Sequence, residues 1–244
     1  MLRRLRPALL LAAVALAGCF DMVSTVTVRP DGSALVRDSV TFSGMDGLLD
    51  DAMRPDKAAL RLRAEALGEG VTLAGVATHD DGYTAVYSVR DVGALRYTLP
   101  DLDLSDDPDA ETVADGPLNL SFAFEPGRPA TLRVVVPDEA AGAGDAPVTD
   151  EEAAEMRQAF GLMRAMLGEA HVAVRVEVEG RVVESDAAFR DGSVVTLADF
   201  AFEDLVDALE ATGGAGPEGG LAAFLAGHGD ARVQEAGTVT VRFE

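Results

Sequence analysis

Cys19 is the only cysteine in this 244-residue chain. Without a second one no intrachain disulfide can form, so stability has to come from a packed core. Basic charge is also scarce. Lys57 is the single lysine, and lysine and arginine together number 20 against 42 acidic residues, for a net charge of −22. Such a chain repels nucleic acid and anionic headgroups, and no nucleic-acid partner is expected. The apolar run near the start, Ala8 to Ala17, is too short to span a bilayer as a helix. Catalytic signatures are missing too: there is no HExxH, no GxSxG elbow and no P-loop. His79, His171 and His228 lie far apart with no partner cysteine, which speaks against a zinc site or a histidine-based triad. The expectation is a non-enzymatic protein without a cofactor.

The chain opens with Arg3, Arg4 and Arg6, then the short apolar run, then Leu16-Ala17-Gly18-Cys19. A basic start, a short apolar stretch and small residues at a cleavage point make a secretory signal. The cysteine directly after the small residues resembles the lipobox of bacterial lipoproteins. That resemblance implies removal of residues 1–18 and lipidation, palmitate included, of Cys19. Each buried acyl methylene contributes about 0.8 kcal/mol, so two or more chains anchor stably. Losing the leader also removes three arginines and makes the remainder more acidic still. Phe20 follows the cysteine where aspartate would signal inner-membrane retention in enterobacteria. By that analogy the expected location is the outer membrane, facing the periplasm.

Residues 19–244 read as one domain in which hairpins alternate with helices. Residues 23–29 alternate apolar and polar, the Pro30-Asp31-Gly32-Ser33 stretch turns the chain, and Ala34 to Phe42 alternates again. Asp38 falls on the apolar face of this hairpin. A buried carboxylate can be functional; a register error or a sheet-edge position is the more ordinary reading. Pro55 starts a helix, since proline is tolerated in a first turn, and Leu60, Arg63 and Leu67 fall along one side of it. Further hairpins are expected at 71–78 with 83–90, and at 118–124 with 131–136. Thr149 and Glu152 match a capping box for a helix carrying Met156, Phe160, Met163 and Leu167. The strand at 171–179 and those at 181–189 and 193–197 continue the sheet. A helix follows at 200–211, a short one at 221–226, and a closing strand at 238–243. Segments near 100–117, 137–148 and 212–220 are expected to be flexible. The fold class is therefore α+β: a mostly antiparallel β-sheet built from hairpins, with two to four helices packed on one side.

Two segments carry a second resemblance. Cys19-Phe20-Asp21-Met22 runs straight into a strand, Asp31-Gly32-Ser33 and another strand. Late in the chain, residues 176–186 precede Asp191-Gly192-Ser193. Together these resemble the LppM-type bacterial lipoproteins and related families of unknown function. The pattern is departed from at Leu197, where an aromatic is expected, and at Ser185-Asp186. The resemblance implies an anchored α+β envelope module and assigns no catalytic residue.

Candidate sites remain few. Asp101, Asp103, Ser105 and Asp107 present oxygens at alternate positions, as calcium would need, making the three aspartates a weak metal candidate. Asp106 stands where such a loop needs glycine, and Thr112 where it needs glutamate, so a solvated acidic loop is the plainer reading. Gly213 to Gly220 looks like a phosphate cradle but holds no basic residue. Phe200, Phe202, Leu221, Phe224 and Leu225 could form an exposed interaction patch, with core packing as the competing reading. The function expected is a binding or scaffolding module at the cell envelope, partnered by the membrane and by an envelope protein. The alternatives are a carrier of a small apolar ligand or lipid, and an enzyme with an unrecognised active site.

Overall fold

The computed structural model describes residues 19–43, 55–99, 118–137, 161, 164, 170–212 and 220–244. Alternating side chains build the first hairpin. β1 (Cys19–Val28) and β2 (Ala34–Ser43) pair antiparallel in unbroken register from Cys19 opposite Ser43 to Val28 opposite Ala34. Met22, Val26 and Val28 on β1 and Ala34, Val36 and Val40 on β2 are buried on one face. Ser24 and Asp38 share that buried face, while the residues that alternate with it, such as Val23, Thr25, Leu35 and Arg37, stay partly or fully exposed. Gly32 holds the turn at φ 85°, a conformation open to glycine without steric cost.

A helix, α1 (Lys57–Ala66), follows and is capped by Asp56, whose carboxylate accepts from the Ala59 amide at 2.7 Å. Leu60, Ala64 and Leu67 turn into the core. β3 (Val71–His79) and β4 (Gly82–Val89) form the second hairpin, and β4 pairs with β2. A tight approach fixes this join: a Cβ on Gly82 would stand 2.0 Å from the Val40 carbonyl oxygen. After a 3-10 turn at Val92–Ala94 comes β5 (Arg96–Thr98). The third hairpin is β6 (Asn119–Glu125) with β7 (Ala130–Val136).

β8 (His171–Val178) buries Val172, Val174, Val176 and Val178, and pairs parallel with β1. The remaining elements are β9 (Val182–Ser185), β10 (Arg190–Asp191), β11 (Val194–Ala201), α2 (Phe202–Ala211), α3 (Gly220–Leu225), β12 (Arg232–Val233) and β13 (Gly237–Phe243).

These strands make two sheets rather than the one expected. The larger runs β10-β11-β8-β1-β2-β4-β3, with β12 also on β11; the smaller runs β5-β6-β7-β13-β9. A single apolar cluster joins Val26, Val36 and Val176 of the first to Leu120, Leu132 and Val241 of the second. The alternation in β6, β7 and β13 gives them an apolar face of their own, and two such faces bury each other. Pairing is largely antiparallel, but β1 with β8 makes the larger sheet mixed. Helices are a smaller part of the described fold than the α+β expectation implied: three α-helices lie among the described residues. Of the predicted helix around 149–167 only 161 and 164 are described, both helical, and the segments near 100–117 and 137–148, residue 137 apart, fall outside those residues.

Candidate functional site

Asp38 sits near the middle of β2, which runs between β1 and β4, so the edge reading fails and the register reading fails with it. Its Cα partners are Ser24 on β1 and Ala85 on β4, and only 2% of the residue is exposed. The Ser24 hydroxyl, itself fully buried, donates to Asp38 Oδ1 at 2.8 Å. Arg63 reaches in from α1. Its Nη2 stands 3.6 Å from Asp38 Oδ2, an ion pair too long for a hydrogen bond. The same guanidinium donates to the Thr98 hydroxyl at 3.0 Å and the Thr98 carbonyl at 2.5 Å. It also lies 5.7 Å from the centre of the Tyr97 ring, within cation–π range.

All three tyrosines of the chain, Tyr83, Tyr87 and Tyr97, feel this charge pair. Burial pushes the Asp38 carboxyl above its ordinary range, while Arg63 and Ser24 pull it back down. Burial, then the Asp38 charge, pushes the Tyr87 and Tyr97 hydroxyls above theirs. Asp38 Oδ2, Arg63 Nε and the Tyr97 hydroxyl are buried without a hydrogen-bond partner among the described residues. Three such atoms in one cluster are costly. The cluster ties α1 to both sheets. Asp38 lies at its closed end, while the Arg63 side chain keeps about 15% of its surface exposed.

The other sequence candidates scatter. Cys19 opens β1 directly, opposite Ser43. Asp101, Asp103 and Asp107 lie outside the described residues, as does most of the Gly213–Gly220 segment. Of the five apolar patch residues, Phe200, Phe224 and Leu225 are buried, and Phe202 and Leu221 pack partly buried against the core. They face inward, and no exposed patch forms from them. The three histidines stay apart: His79 ends β3, His228 follows α3, and His171 pairs with Asp199 at 2.8 Å, which also accepts from Arg175 at 3.3 Å. Among the described residues no group of three or more histidine, cysteine or acidic side chains could hold a metal ion. No described helix is long and apolar enough to cross a membrane.

Sequence reasoning missed two features. Arg63 was on the apolar side of its helix and Asp38 on the apolar face of its hairpin, and pairing these two out-of-place charges would have found the cluster. The second is an open cleft of about 520 Å³ beside α3 and β12, lined by Phe189, Leu225, His228, Val233 and Glu235 among small residues. Its mixed lining lacks the continuous apolar surface that a carrier of acyl chains needs.

No protein-family model matches the chain, and no curated protein matches it. Among solved structures, the chain is similar to the NMR structure of the folded domain of LppM from Mycobacterium tuberculosis. The two are 14% identical, the match covers 93% of this chain and 91% of that one, and the TM-score is 0.35. That is a weak, fold-level resemblance.

Proposed function

We propose that this chain is an exported, lipid-anchored envelope lipoprotein whose folded part binds or scaffolds another envelope component and catalyses no reaction. One observation carries the reading: the small-residue stretch Leu16-Ala17-Gly18 ends at Cys19, and Cys19 is where the first strand begins. Cleavage before Cys19 would leave that strand whole. The buried setting of Asp38 adds support for a non-catalytic role, because the carboxyl that burial raises is only 2% exposed. Phe20 after the cysteine favours the outer membrane, facing the periplasm.

The test is metabolic labelling with a palmitate analogue and cell fractionation. The native chain takes the label and sediments with membranes. Cys19→Ser, exported behind a leader with its own cleavage site, takes none and moves to the soluble fraction. Equal labelling and sedimentation of the two chains would sink the reading. Separating inner from outer membranes on a density gradient decides the location.

A further inference from the structure

A sheet edge is a row of unpaired amides and carbonyls, ready to pair with any extended chain, and proteins blunt such edges by shortening them or by placing charges on them. Four of the edge strands here are blunted. β5 has three residues and carries Arg96; β9 has four and carries Glu184; β10 and β12 have two each and carry Arg190, Asp191 and Arg232. β3 is different. It runs for nine residues at the end of the larger sheet, and no described strand pairs with its outer side. From Gly70 to Thr78 it carries no charge and no proline.

β3 is firmly held on its other side. Its inward residues Val71, Leu73 and Val76 pack against the core, and β4 pairs with it from Val71 to His79. Thr72, Ala74, Gly75, Ala77 and Thr78 are exposed. A Cβ built on Gly75 would meet nothing within 4 Å, so among the described residues nothing covers that face of the strand at its middle. The one protective device is a register shift between Leu73 and Gly75, and it leaves Val76 to Thr78 regular.

We propose that β3 accepts an added strand from a partner protein: an extended segment with small or β-branched side chains, flanked by basic residues. The charge requirement comes from the ends of the edge, where Glu69 stands on one side and Asp81 on the other. A second copy of this chain fits poorly. Antiparallel self-pairing centred on Gly75 sets Glu69 of one copy against Asp81 of the other, and both copies carry a large negative charge. A heterologous strand with lysine or arginine at those places reverses the sign of both contacts. Backbone pairing supplies the affinity, and the small side chains of β3 leave room for the partner's. This names the partner chemistry of the binding-module reading and rests on that reading only for where the partner resides.

Hydrogen–deuterium exchange on the full chain in detergent tests it. The probe is an octapeptide of alternating valine and threonine with a lysine at each end. The expected result is at least about tenfold slower exchange at alternate amides within 72–78 when the peptide is present. Ala77→Lys, at an exposed position, abolishes the slowing and leaves the melting temperature unchanged; Val183→Lys on β9 leaves peptide binding intact. Three results overturn the proposal: no slowing at saturating peptide, edge amides already as protected as those of β1 in the free chain, or a dimer joined through β3. Repeating the measurement on Cys19→Ser separates the two readings, since strand addition does not require the anchor.

Discussion

At the residue scale, Asp38 shows what a buried charge costs and what it holds. A buried ion pair contributes little net stability, but removing one partner strands the other. Arg63→Met is therefore expected to cost about 3–5 kcal/mol in chemical denaturation, and adding Asp38→Asn recovers part of that loss. Acid dependence gives an independent check. Burial raises the Asp38 carboxyl in the folded state, so the folded chain keeps a proton that the unfolded chain releases at about pH 4. Stability from this group is full below that point and is lost as pH rises through the raised value. The stability of the native chain relative to Asp38→Asn falls over that window and then levels off; a pH-independent difference would overturn the assignment. The sequence showed Asp38 on the wrong face but could not show why. Its partners are Ser24 on the neighbouring strand and Arg63 on a helix 25 positions later, Arg63 is held in turn by β5, and only the closed sandwich brings them together.

At the scale of elements, hairpins were legible because their signals are local. The turn at Pro30 to Ser33 and the Asp80-Asp81-Gly82 turn fall where the sequence places them. The helix after Pro55 begins two residues later, at Lys57, behind its Asp56 cap. Strand order was not legible. Nothing in the valines of β8 says that their neighbour is β1, and parallel pairing across some 150 residues leaves no turn signature. The crossing from β8 in one sheet to β9 in the other is equally silent, although Gly180 marks it. Gly180 has φ 153°, and a Cβ there would stand 2.7 Å from the Glu244 carbonyl oxygen. That carbonyl accepts from the Arg181 amide, which joins the crossing to the end of β13. Gly180→Ala is expected to destabilise by about 1–3 kcal/mol. Asp56→Ala loses only the cap, about 1 kcal/mol. Urea titrations of the two variants check the order, and equal effects would show that the crossing carries no strain.

At the scale of the whole molecule, the two sheets bury one apolar cluster, and among the described acidic residues Asp38 alone is buried with it. The expectation of helices covering one sheet was coarse because a strand's alternation says that a face is covered but not by what. Position within the sheet also decides how a load would be carried. β1 begins at Cys19 with no intervening linker and lies between β2 and β8, hydrogen-bonded on both sides. A pull applied at Cys19 along β1 stresses both ladders in shear, so their bonds have to break together. A pull at one end of an edge strand such as β3, directed away from the sheet, peels bonds one at a time. Drawn through residue 19 in a force-spectroscopy experiment, the domain should resist a clearly higher force than when β3 is peeled from the sheet; equal forces would contradict this. Under the anchoring proposed at Cys19, a pull from the membrane would load both ladders at once.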